Sequence, residues 1–393
     1  MVEPYRITGA AIANCLGSDN ASVFANAFSG ASTFRDAAEF AEFPFATVLG
    51  IMPKLEEYGG LDCTPTRVAN IAFASVRQLR SAVAAAVTRW GPARVGYVFA
   101  SSTGGLEQTE ARLNPRRDDS NSRVRYDDHG IDATMPAIAR YFGLAGICMA
   151  ISTACSSSLN ALVSATRLLD RRLADAVVVG SADSLCRTTV FGFHSLGLLA
   201  TTATQPFARD RAGLTLGEGS AYVLLERAAV DATGGELGYV MGVGAATDAY
   251  HHTTPHPQGL AGQRCMQNAL QRAGLSADQI DCVSAHGTGT KLNDAAEAAA
   301  LNHVFGRRVA VTATKSLTGH TLGSAGLTAL VLALESLRRQ EISPTLRLQP
   351  VDSALGVEVV GKPTPTRLDH IVVNAFGFGG NNVSVVVSHP RQR

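Results

Sequence analysis

The sequence predicts an α/β protein in which strands and helices alternate. Short apolar runs at 94–101, 147–151 and 176–180 have the length of buried strands. Ala-rich runs with helical spacing lie between such runs, and many of the 38 glycines separate the two kinds of run. This alternation is typical of βα units around a largely parallel sheet. A chain of 393 residues is long enough for two or three domains, or for one large duplicated domain.

The first half of the chain contains one complete set of predicted elements. Strands are predicted at 5–11, 94–101, 147–151, 176–180 and 219–226. Helices are predicted at 21–29, 66–89 and 135–142 and directly after Cys155. The segment 44–63 reads as an irregular surface excursion, and the polar stretch 112–130 has the composition of a loop.

The second half repeats this order of elements. Its predicted strands are 238–245, 282–285, 309–312, 370–375 and 383–387, and its long helix is 322–338. Ordered self-similarity of this kind predicts a duplication, with one half at 1–232 and the other at 233–393. Two such halves are expected to arrange their helix N-termini and strand ends around one shared crevice.

The composition excludes several classes of function. Hydrophobic residues make up 46% of the chain and charged residues 17%. The net charge is only +1, so the overall charge does not indicate binding to nucleic acid or to a membrane surface. The seven cysteines are odd in number and include no C-x-x-C pair, so they indicate neither a disulfide framework nor a zinc knuckle and fit a reducing cytoplasm. No apolar run reaches the roughly 18 residues that span a bilayer, and no signal peptide is indicated.

Cys155 lies where a predicted strand meets a predicted helix. Apolar residues at 147–151 precede it, and Leu159, Leu162 and Leu169 follow it at helical spacing. A thiol at a helix start faces unpaired backbone N–H groups and the positive end of the helix dipole, and both favour the thiolate. Cys155 is therefore a candidate nucleophile, and a small buried core residue is the alternative at this point.

Three loops of the second half carry polar side chains directly after predicted strands, where α/β proteins place their sites. They read S-A-H-G-T-G-T-K-L-N-D-A-A-E at 284–297, T-K-S-L-T-G-H-T-L-G-S-A-G at 314–326 and N-A-F-G-F-G-G-N-N at 374–382. His286 and His320 occupy equivalent places in two of these loops and are candidate catalytic residues. The adjacent glycine-rich turns can bring backbone N–H donors close to an oxyanion.

Together these motifs resemble one enzyme family. The set S-T-A-C-S-S-S, G-E-G-S, H-G-T-G-T-K-L-N-D, T-K-S-L-T-G-H and F-G-F-G-G-N-N, in this order, is similar to the elongating β-ketoacyl-acyl-carrier-protein synthases of the Cys-His-His type. The resemblance is strongest from Gly143 onward and weaker before Gly91. It implies a thiolase-like fold in which the duplicated βα halves form a layered α-β-α-β-α architecture.

The resemblance also implies catalytic roles. Cys155 would accept the acyl chain from a carrier-protein thioester, and His286 and His320 would stabilise the enolate that forms when malonyl thioester loses carbon dioxide. The backbone N–H groups of Cys155 and Phe378 would hold the tetrahedral oxyanion. The side chains of Phe378 and, less directly, Phe376 would form an aromatic gate between the acyl pocket and the malonyl site.

Further residues are implied to support the reaction. Lys315 and Glu297 match a pair that holds the histidine loops in register, and Asp294 matches a neighbouring structural acid. Thr288 and Thr290 match threonines that hydrogen-bond the phosphopantetheine arm. The implied reaction is a decarboxylative Claisen condensation that needs no metal and no cofactor other than the phosphopantetheine of the carrier protein.

The resemblance further implies acyl carrier protein as partner and a dimer in which the strand 147–151 pairs across the two-fold axis. The second subunit would be an identical chain or a related chain-length-factor-type subunit. Lys291 stands where many relatives have Pro, and Asn381 replaces a common Thr. The segments S-T-A-C-S-S-S, D-S-L-C and L-N-D, with the histidine-rich segment 251–257, are more similar to synthases of specialised polyene or polyketide pathways, such as aryl polyene assembly, than to fatty-acid enzymes.

Three other readings compete with an elongating synthase. A non-catalytic chain-length subunit shares the fold, but such subunits usually lack the cysteine that Cys155 provides. A degradative thiolase would place a second catalytic cysteine near the C-terminus, whereas the last cysteine is Cys282. A starter-unit synthase has Asn where this chain has His320.

Two polar clusters have weaker interpretations. His251, His252 and His256 lack the spacing of a metal site and are interpreted as a solvated or substrate-lining loop. Arg67 with Arg116 and Arg117 could form a basic landing patch for an acidic carrier protein.

Overall fold

The computed structural model describes residues 3–55, 63–64, 66–113, 125–227, 235–306, 309–348 and 350–392. The predicted boundary between the halves, at 232 and 233, lies outside the described residues and stays a prediction, as does the part of the basic patch at Arg116 and Arg117. No helix in the described ranges is long and apolar enough to cross a membrane.

The helices of the described chain follow the Ala- and Leu-rich segments. They are α1 Asn20–Ser29, α2 Arg67–Val76, α3 Arg80–Trp90, α4 Leu106–Arg112, α5 Tyr126–His129, α6 Met135–Phe142, α7 Ser157–Asp170, α8 Arg187–Ser195, α9 Leu260–Ala273, α10 Lys291–Phe305, α11 Lys315–Thr318 and α12 Ala325–Arg339. Side-chain caps fix some of the starts. Thr66 caps α2 by accepting from the N–H of Ala69, and Asp19 caps α1 by accepting from the N–H of Ser22.

The strands coincide with the short β-branched runs. They are β1 Tyr5–Asn14, β2 Arg35–Asp36, β3 Val48–Leu49, β4 Val95–Ala100, β5 Cys148–Ile151, β6 Ala176–Asp183, β7 Gly219–Glu226, β8 Gly238–Thr247, β9 Cys282–Ser284, β10 Ala310–Thr312, β11 Glu341–Ile342, β12 Glu358–Val359, β13 Thr364–Pro365, β14 His370–Phe376 and β15 Asn381–Ser388. All strands predicted from the sequence are present, with ends that move by a few residues.

Eleven of the described strands form one sheet in the order β12-β10-β9-β14-β15-β8-β1-β7-β6-β4-β5. On one side of the β8–β1 junction, β1 and β7 are antiparallel, β7 and β6 are antiparallel, and β4 is parallel to both β6 and β5. On the other side, β8, β15, β14, β9 and β10 repeat the same sequence of pairings. The two halves therefore have the same topology, as the sequence repeat predicted.

The packing forms five layers. Both faces of the strands are apolar: in β6, Val177 and Val179 face one core while Ala176 and Val178 face another. The central core contains the buried residues of α7 and α12 between the two half-sheets. Helices α2, α3 and α6 cover the outer face of the first half, and α9 and α10 cover that of the second. Strands buried on both faces explain the continuous apolar runs, because neither face needs polar residues.

Three expectations about the fold are wrong in part. The sheet is mixed rather than largely parallel, because one strand in each half, β7 or β15, runs antiparallel to both of its neighbours. The single helix predicted at 66–89 is two helices, α2 and α3, joined by a 3-10 turn at Arg77–Leu79. The predicted loop at 112–130 contains the short helix α5, while its residues 114–124 lie outside the described chain.

Candidate active site

Cys155 sits in the turn between β5 and α7, as the sequence predicted. The turn begins after Ile151, and Ala154 adopts a positive φ of 51° directly before the cysteine. The Ser157 hydroxyl accepts from the Thr153 N–H at 2.8 Å, which closes the turn onto the start of α7. The side chain of Cys155 is buried and lines a large cavity.

Backbone N–H groups favour the Cys155 thiolate, but they are not the largest influence on this thiol. Burial raises the pKa of the Cys155 thiol to about 11. The charge of Lys315 and the backbone N–H of Phe378 lower this pKa, and the carboxylate of Asp183 raises it, but burial dominates. Cys155 is therefore a neutral thiol at pH 7 in the free protein.

The loop after β9 places His286 at the cavity. The backbone N–H groups of His286 and Gly287 both donate to the carboxylate of Glu297, each at 2.8 Å. Glu297 lies on α10, is buried, and also accepts from the Asn374 amide on β14 at 3.1 Å. One carboxylate thus connects the His286 loop to two further elements.

Lys315 holds the same histidine from the opposite direction. Its buried ammonium donates to the His286 carbonyl at 2.5 Å and lies 3.2 Å from His286 Nδ1. No ion pair within 4.0 Å joins Lys315 to Glu297 among the described residues. The pair implied by the family resemblance therefore consists of two separate contacts to one loop.

Backbone contacts fix His320 next to His286. The His320 N–H donates to the Thr215 carbonyl at 2.7 Å, and the His320 carbonyl accepts from Gly217 at 3.0 Å. The Leu322 N–H donates to His320 Nδ1 at 3.1 Å. The two imidazole rings lie 5.6 Å apart between centroids and are nearly perpendicular, at 87°.

Both histidines are neutral at pH 7. Burial lowers the pKa of His286 and of His320 well below the usual value, and the nearby charge of Lys315 lowers both further. Because Nδ1 of each ring faces a donor, the neutral rings carry their proton on Nε2. Each ring therefore offers one N–H donor on its remaining nitrogen, in a site where burial strengthens such interactions.

The other predicted residues surround these three. Asp294 is buried and accepts from the backbone N–H groups of Phe207, Thr288 and Gly289, so it shapes the His286 loop. The hydroxyls of Thr288 and Thr290 lie 2.9 Å apart and line the cavity.

Aromatic rings form one wall of the cavity. Phe378 and Phe376 both line it, and the Phe376 ring lies 5.9 Å from the His286 ring. Phe193 of α8 stacks on Phe378 with centroids 5.7 Å apart and an interplanar angle of 24°. Phe193 was not predicted from the sequence, because the segment 187–195 carries none of the family motifs; in the structure it lines the cavity.

The cavity has a volume of about 760 Å³. His251 and His252 line its rim, with ring centroids 4.0 Å apart. No group of histidine, cysteine or carboxylate side chains in the described ranges could hold a metal ion. Arg67, expected in a carrier landing patch, instead pairs with the buried carboxylate of Glu218, to which its Nε donates at 2.7 Å.

Comparison with known proteins identifies the family. The chain matches the beta-ketoacyl synthase N-terminal domain over residues 74–231 and the beta-ketoacyl synthase C-terminal domain over residues 237–349. It is 33% identical to a 3-oxoacyl-[acyl-carrier-protein] synthase 2 of Vibrio cholerae over 314 residues, which covers 75% of each chain.

Solved structures agree with this assignment. The ketosynthase ApeO in complex with its chain length factor ApeC, from Xenorhabdus doucetiae, matches with a TM-score of 0.89 and 30% identity over 98% of both chains. A beta-ketoacyl synthase from Burkholderia phymatum matches with a TM-score of 0.87 and 27% identity, over 99% of this chain and 100% of that one. The chain therefore belongs to the β-ketoacyl synthase family and is an acyltransferase that condenses acyl groups into β-ketoacyl-acyl carrier protein.

Proposed function

We propose that Cys155 carries the acyl chain as a thioester and that His286 and His320 drive the decarboxylation of malonyl-acyl carrier protein. The observation that carries this proposal is the meeting of one buried thiol and two neutral imidazoles at a single cavity. The thiol comes from the first half of the chain and the imidazoles from the second. No other cysteine lines this cavity among the described residues.

In the first half-reaction, the Cys155 sulfur attacks the carbonyl carbon of an acyl-carrier thioester. The carbon–sulfur bond to the carrier breaks, and the proton of the Cys155 thiol passes to the departing phosphopantetheine thiol. Negative charge develops on the carbonyl oxygen during this step. The backbone N–H groups of Cys155 and Phe378 are the donors assigned to it, and the Phe378 N–H lies within hydrogen-bonding reach of the Cys155 sulfur.

In the second half-reaction, malonyl thioester loses carbon dioxide. The electron pair of the broken carbon–carbon bond becomes an enolate, whose oxygen receives hydrogen bonds from Nε2 of His286 and of His320. The enolate carbon then attacks the carbonyl of the acyl-Cys155 thioester. Cys155 leaves as a thiolate and takes up a proton, since its buried thiol holds a proton at pH 7.

The supporting residues position His286 and line the cavity through which the substrates reach Cys155. Lys315 and Glu297 fix the position and tautomer of His286, and Asp294 fixes the turn that follows it. Thr288 and Thr290 line the cavity with hydroxyls that suit the amides of a phosphopantetheine arm. Phe376 and Phe378 form the gate between the acyl and malonyl sides.

The substrates are proposed to arrive on acyl carrier protein, with no further cofactor. A reactive thiol that must remain reduced supports a cytoplasmic location. We further propose a dimer formed through β5, the terminal strand of the sheet, where Cys148 and the preceding residue Ile147 are exposed. An unpaired strand edge invites pairing with a second chain.

The pathway is proposed to be a specialised polyene or polyketide pathway, with a chain-length-factor-type subunit as the second chain of the dimer. Support comes from the similarity of the S-T-A-C-S-S-S, D-S-L-C and L-N-D segments to synthases of such pathways, and from the 30% identity to a ketosynthase solved with its chain length factor. The reading of this chain as a non-catalytic subunit is disfavoured because Cys155, His286 and His320 all meet at the cavity.

Intact-mass analysis tests the proposal. The protein is mixed with octanoyl-loaded acyl carrier protein, and we expect a mass gain of one octanoyl group on wild type and none on Cys155→Ala. Cys186→Ala is the matched control, because Cys186 is another buried, free thiol on the same half but does not line the cavity. Acylation of the Cys155→Ala variant on another cysteine would contradict the assignment. His320→Ala should lower carbon dioxide release from malonyl-acyl carrier protein by about 100- to 1,000-fold.

A further inference from the structure

A buried carboxylate without a cationic partner among the described residues lies next to the turn that follows His320. Asp183 ends β6, and its side chain is fully buried. No lysine, arginine or histidine forms an ion pair with it within 4.0 Å in the described chain. An isolated buried charge is costly to maintain, and such groups concentrate at functional sites. Burial raises the pKa of Asp183, and the hydrogen bonds that it accepts act in the opposite direction.

One oxygen of this carboxylate organises the turn after β4. Asp183 Oδ1 accepts from the backbone N–H groups of Ser102 and Thr103, each at 2.8 Å. It also accepts from the hydroxyls of Ser101 at 2.9 Å and Thr103 at 2.7 Å. Four donors on one oxygen hold the turn in a single arrangement, and charge-assisted bonds of this type are the strong ones.

The other oxygen faces the turn that follows His320. Asp183 Oδ2 has no hydrogen-bond partner, and a Cβ atom at Gly323 would come within 2.7 Å of it. The Gly323 N–H donates to the Ser102 hydroxyl at 3.2 Å. The turn fixed by Asp183 is therefore in direct contact with the turn at Leu322–Ser324.

The turn at Leu322–Ser324 is joined to the ring of His320 by one hydrogen bond. Leu322, with a positive φ of 52°, donates its N–H to His320 Nδ1. This bond sets the tautomer and the direction in which Nε2 points. A displacement of about 1 Å in a catalytic group can cost about 100-fold in rate, so the position of this turn matters for catalysis.

We propose that Asp183 is a positioning residue for His320, acting through Ser102 and Gly323. It touches neither substrate nor reacting atoms, and it does not line the cavity. The inference rests on the proposed role of His320 in decarboxylation. It assigns the positioning role of Asp183 to decarboxylation, because acyl transfer to Cys155 does not use His320 in that proposal. The Asp183 charge also raises the pKa of the Cys155 thiol, so its removal favours the thiolate and does not slow acylation.

The test measures the two half-reactions separately on the full-length protein. Acylation of Cys155 is followed by intact mass with octanoyl-acyl carrier protein, and decarboxylation by carbon dioxide release from malonyl-acyl carrier protein. Asp183→Ala should lower decarboxylation by about 10- to 100-fold and leave acylation within about threefold of wild type. Asp183→Asn, which keeps one acceptor oxygen, and Ser102→Ala should lower decarboxylation by about 3- to 10-fold.

Ser181→Ala is the matched control. Ser181 lies two residues earlier on β6, is equally buried, and donates only to the Ala221 carbonyl at 3.3 Å. We expect both half-reactions of this variant to match wild type. If Asp183→Ala does not fold, Asp183→Asn and Ser102→Ala decide the question.

Two results would overturn the inference. One is wild-type decarboxylation in Asp183→Asn and Ser102→Ala, and the other is an equal loss of both half-reactions, which indicates a general structural role. Either result leaves the proposed function intact as long as His320→Ala is impaired. A wild-type protein that is never acylated on Cys155 would instead refute the proposed function.

Discussion

Replacement of Lys315 by methionine separates the catalytic contribution of this side chain from its cost to stability. Lys315 is fully buried, and burial lowers its pKa from 10.5 to about 8. This lowering of the pKa by about 2.5 pH units corresponds to about 3 kcal/mol. Below pH 8, where the Lys315 ammonium is charged, the folded protein is less stable by about that amount. The carboxylates of Glu297 and Asp294 raise this pKa but do not offset burial.

The stability of the Lys315→Met variant should therefore increase at pH 7. The variant no longer buries a cation, but it loses a hydrogen bond to the His286 carbonyl worth about 1 kcal/mol. We expect its free energy of unfolding to exceed that of wild type by about 2 kcal/mol. Between pH 8 and 10.5 the unfolded chain binds a proton on Lys315 that the folded protein has lost, so the contribution of Lys315 to stability should rise through this window. The variant should lack this rise.

The activity of the same variant should fall. Without the ammonium, nothing fixes Nδ1 of His286 as an acceptor, and the Nε2–H donor is lost from part of the population. A hydrogen bond to a charged group contributes about 1.5–3 kcal/mol, so decarboxylation should fall by about 10- to 150-fold.

The change in stability is measured by urea unfolding at pH 7 and pH 10. The change in rate is measured by carbon dioxide release from malonyl-acyl carrier protein. Lys362→Met is the matched control, because Lys362 is exposed, and its stability and rate should stay near those of wild type. A Lys315→Met variant that is less stable than wild type at pH 7 and decarboxylates normally would refute the reasoning.

Two further predictions concern stability. Gly180→Ala should destabilise the protein by several kcal/mol, because a Cβ atom there would lie 1.9 Å from Cε1 of the buried Tyr222 ring. Urea unfolding is the measurement, and a curve that matches wild type would show that the ring can move. Arg67→Met should lower the free energy of unfolding by about 3–5 kcal/mol, because it leaves the buried Glu218 carboxylate without its cationic partner. The control Arg125→Met removes an exposed ion pair and should change the free energy of unfolding by less than about 1 kcal/mol. Equal effects of the two arginine variants would contradict the second prediction.

Much of the fold could be predicted from the sequence because the strands are buried on both faces. Continuous apolar runs such as those of β4 and β6 are readable without any knowledge of their neighbours. The break between α2 and α3 could not be predicted, because the Ala-rich sequence carries no glycine or proline at Arg77–Leu79. The antiparallel strands were also missed, since strand direction depends on how the chain returns to the sheet.

The site shows the same division. Cys155, His286 and His320 were identifiable because each lies in a polar loop after a predicted strand, and the resemblance to the synthase family assigned their roles. Phe193 was not identifiable, because its place at the cavity depends on how α8 packs against Phe378. The pairing of Arg67 with Glu218 was likewise hidden, since 151 residues separate the two in the chain.

The sequence by itself determined the order of elements, the duplication and the three residues that meet at the cavity. These features could be predicted because periodicity, turn chemistry and short motifs depend only on residues that are close together in the sequence. Only the tertiary structure decided the protonation and orientation of those residues. The pKa of Cys155 rises to about 11 because distant segments bury it, and the tautomers of His286 and His320 follow from Lys315 and the Leu322 N–H. Desolvation and hydrogen bonding between remote segments exist only once the chain has folded.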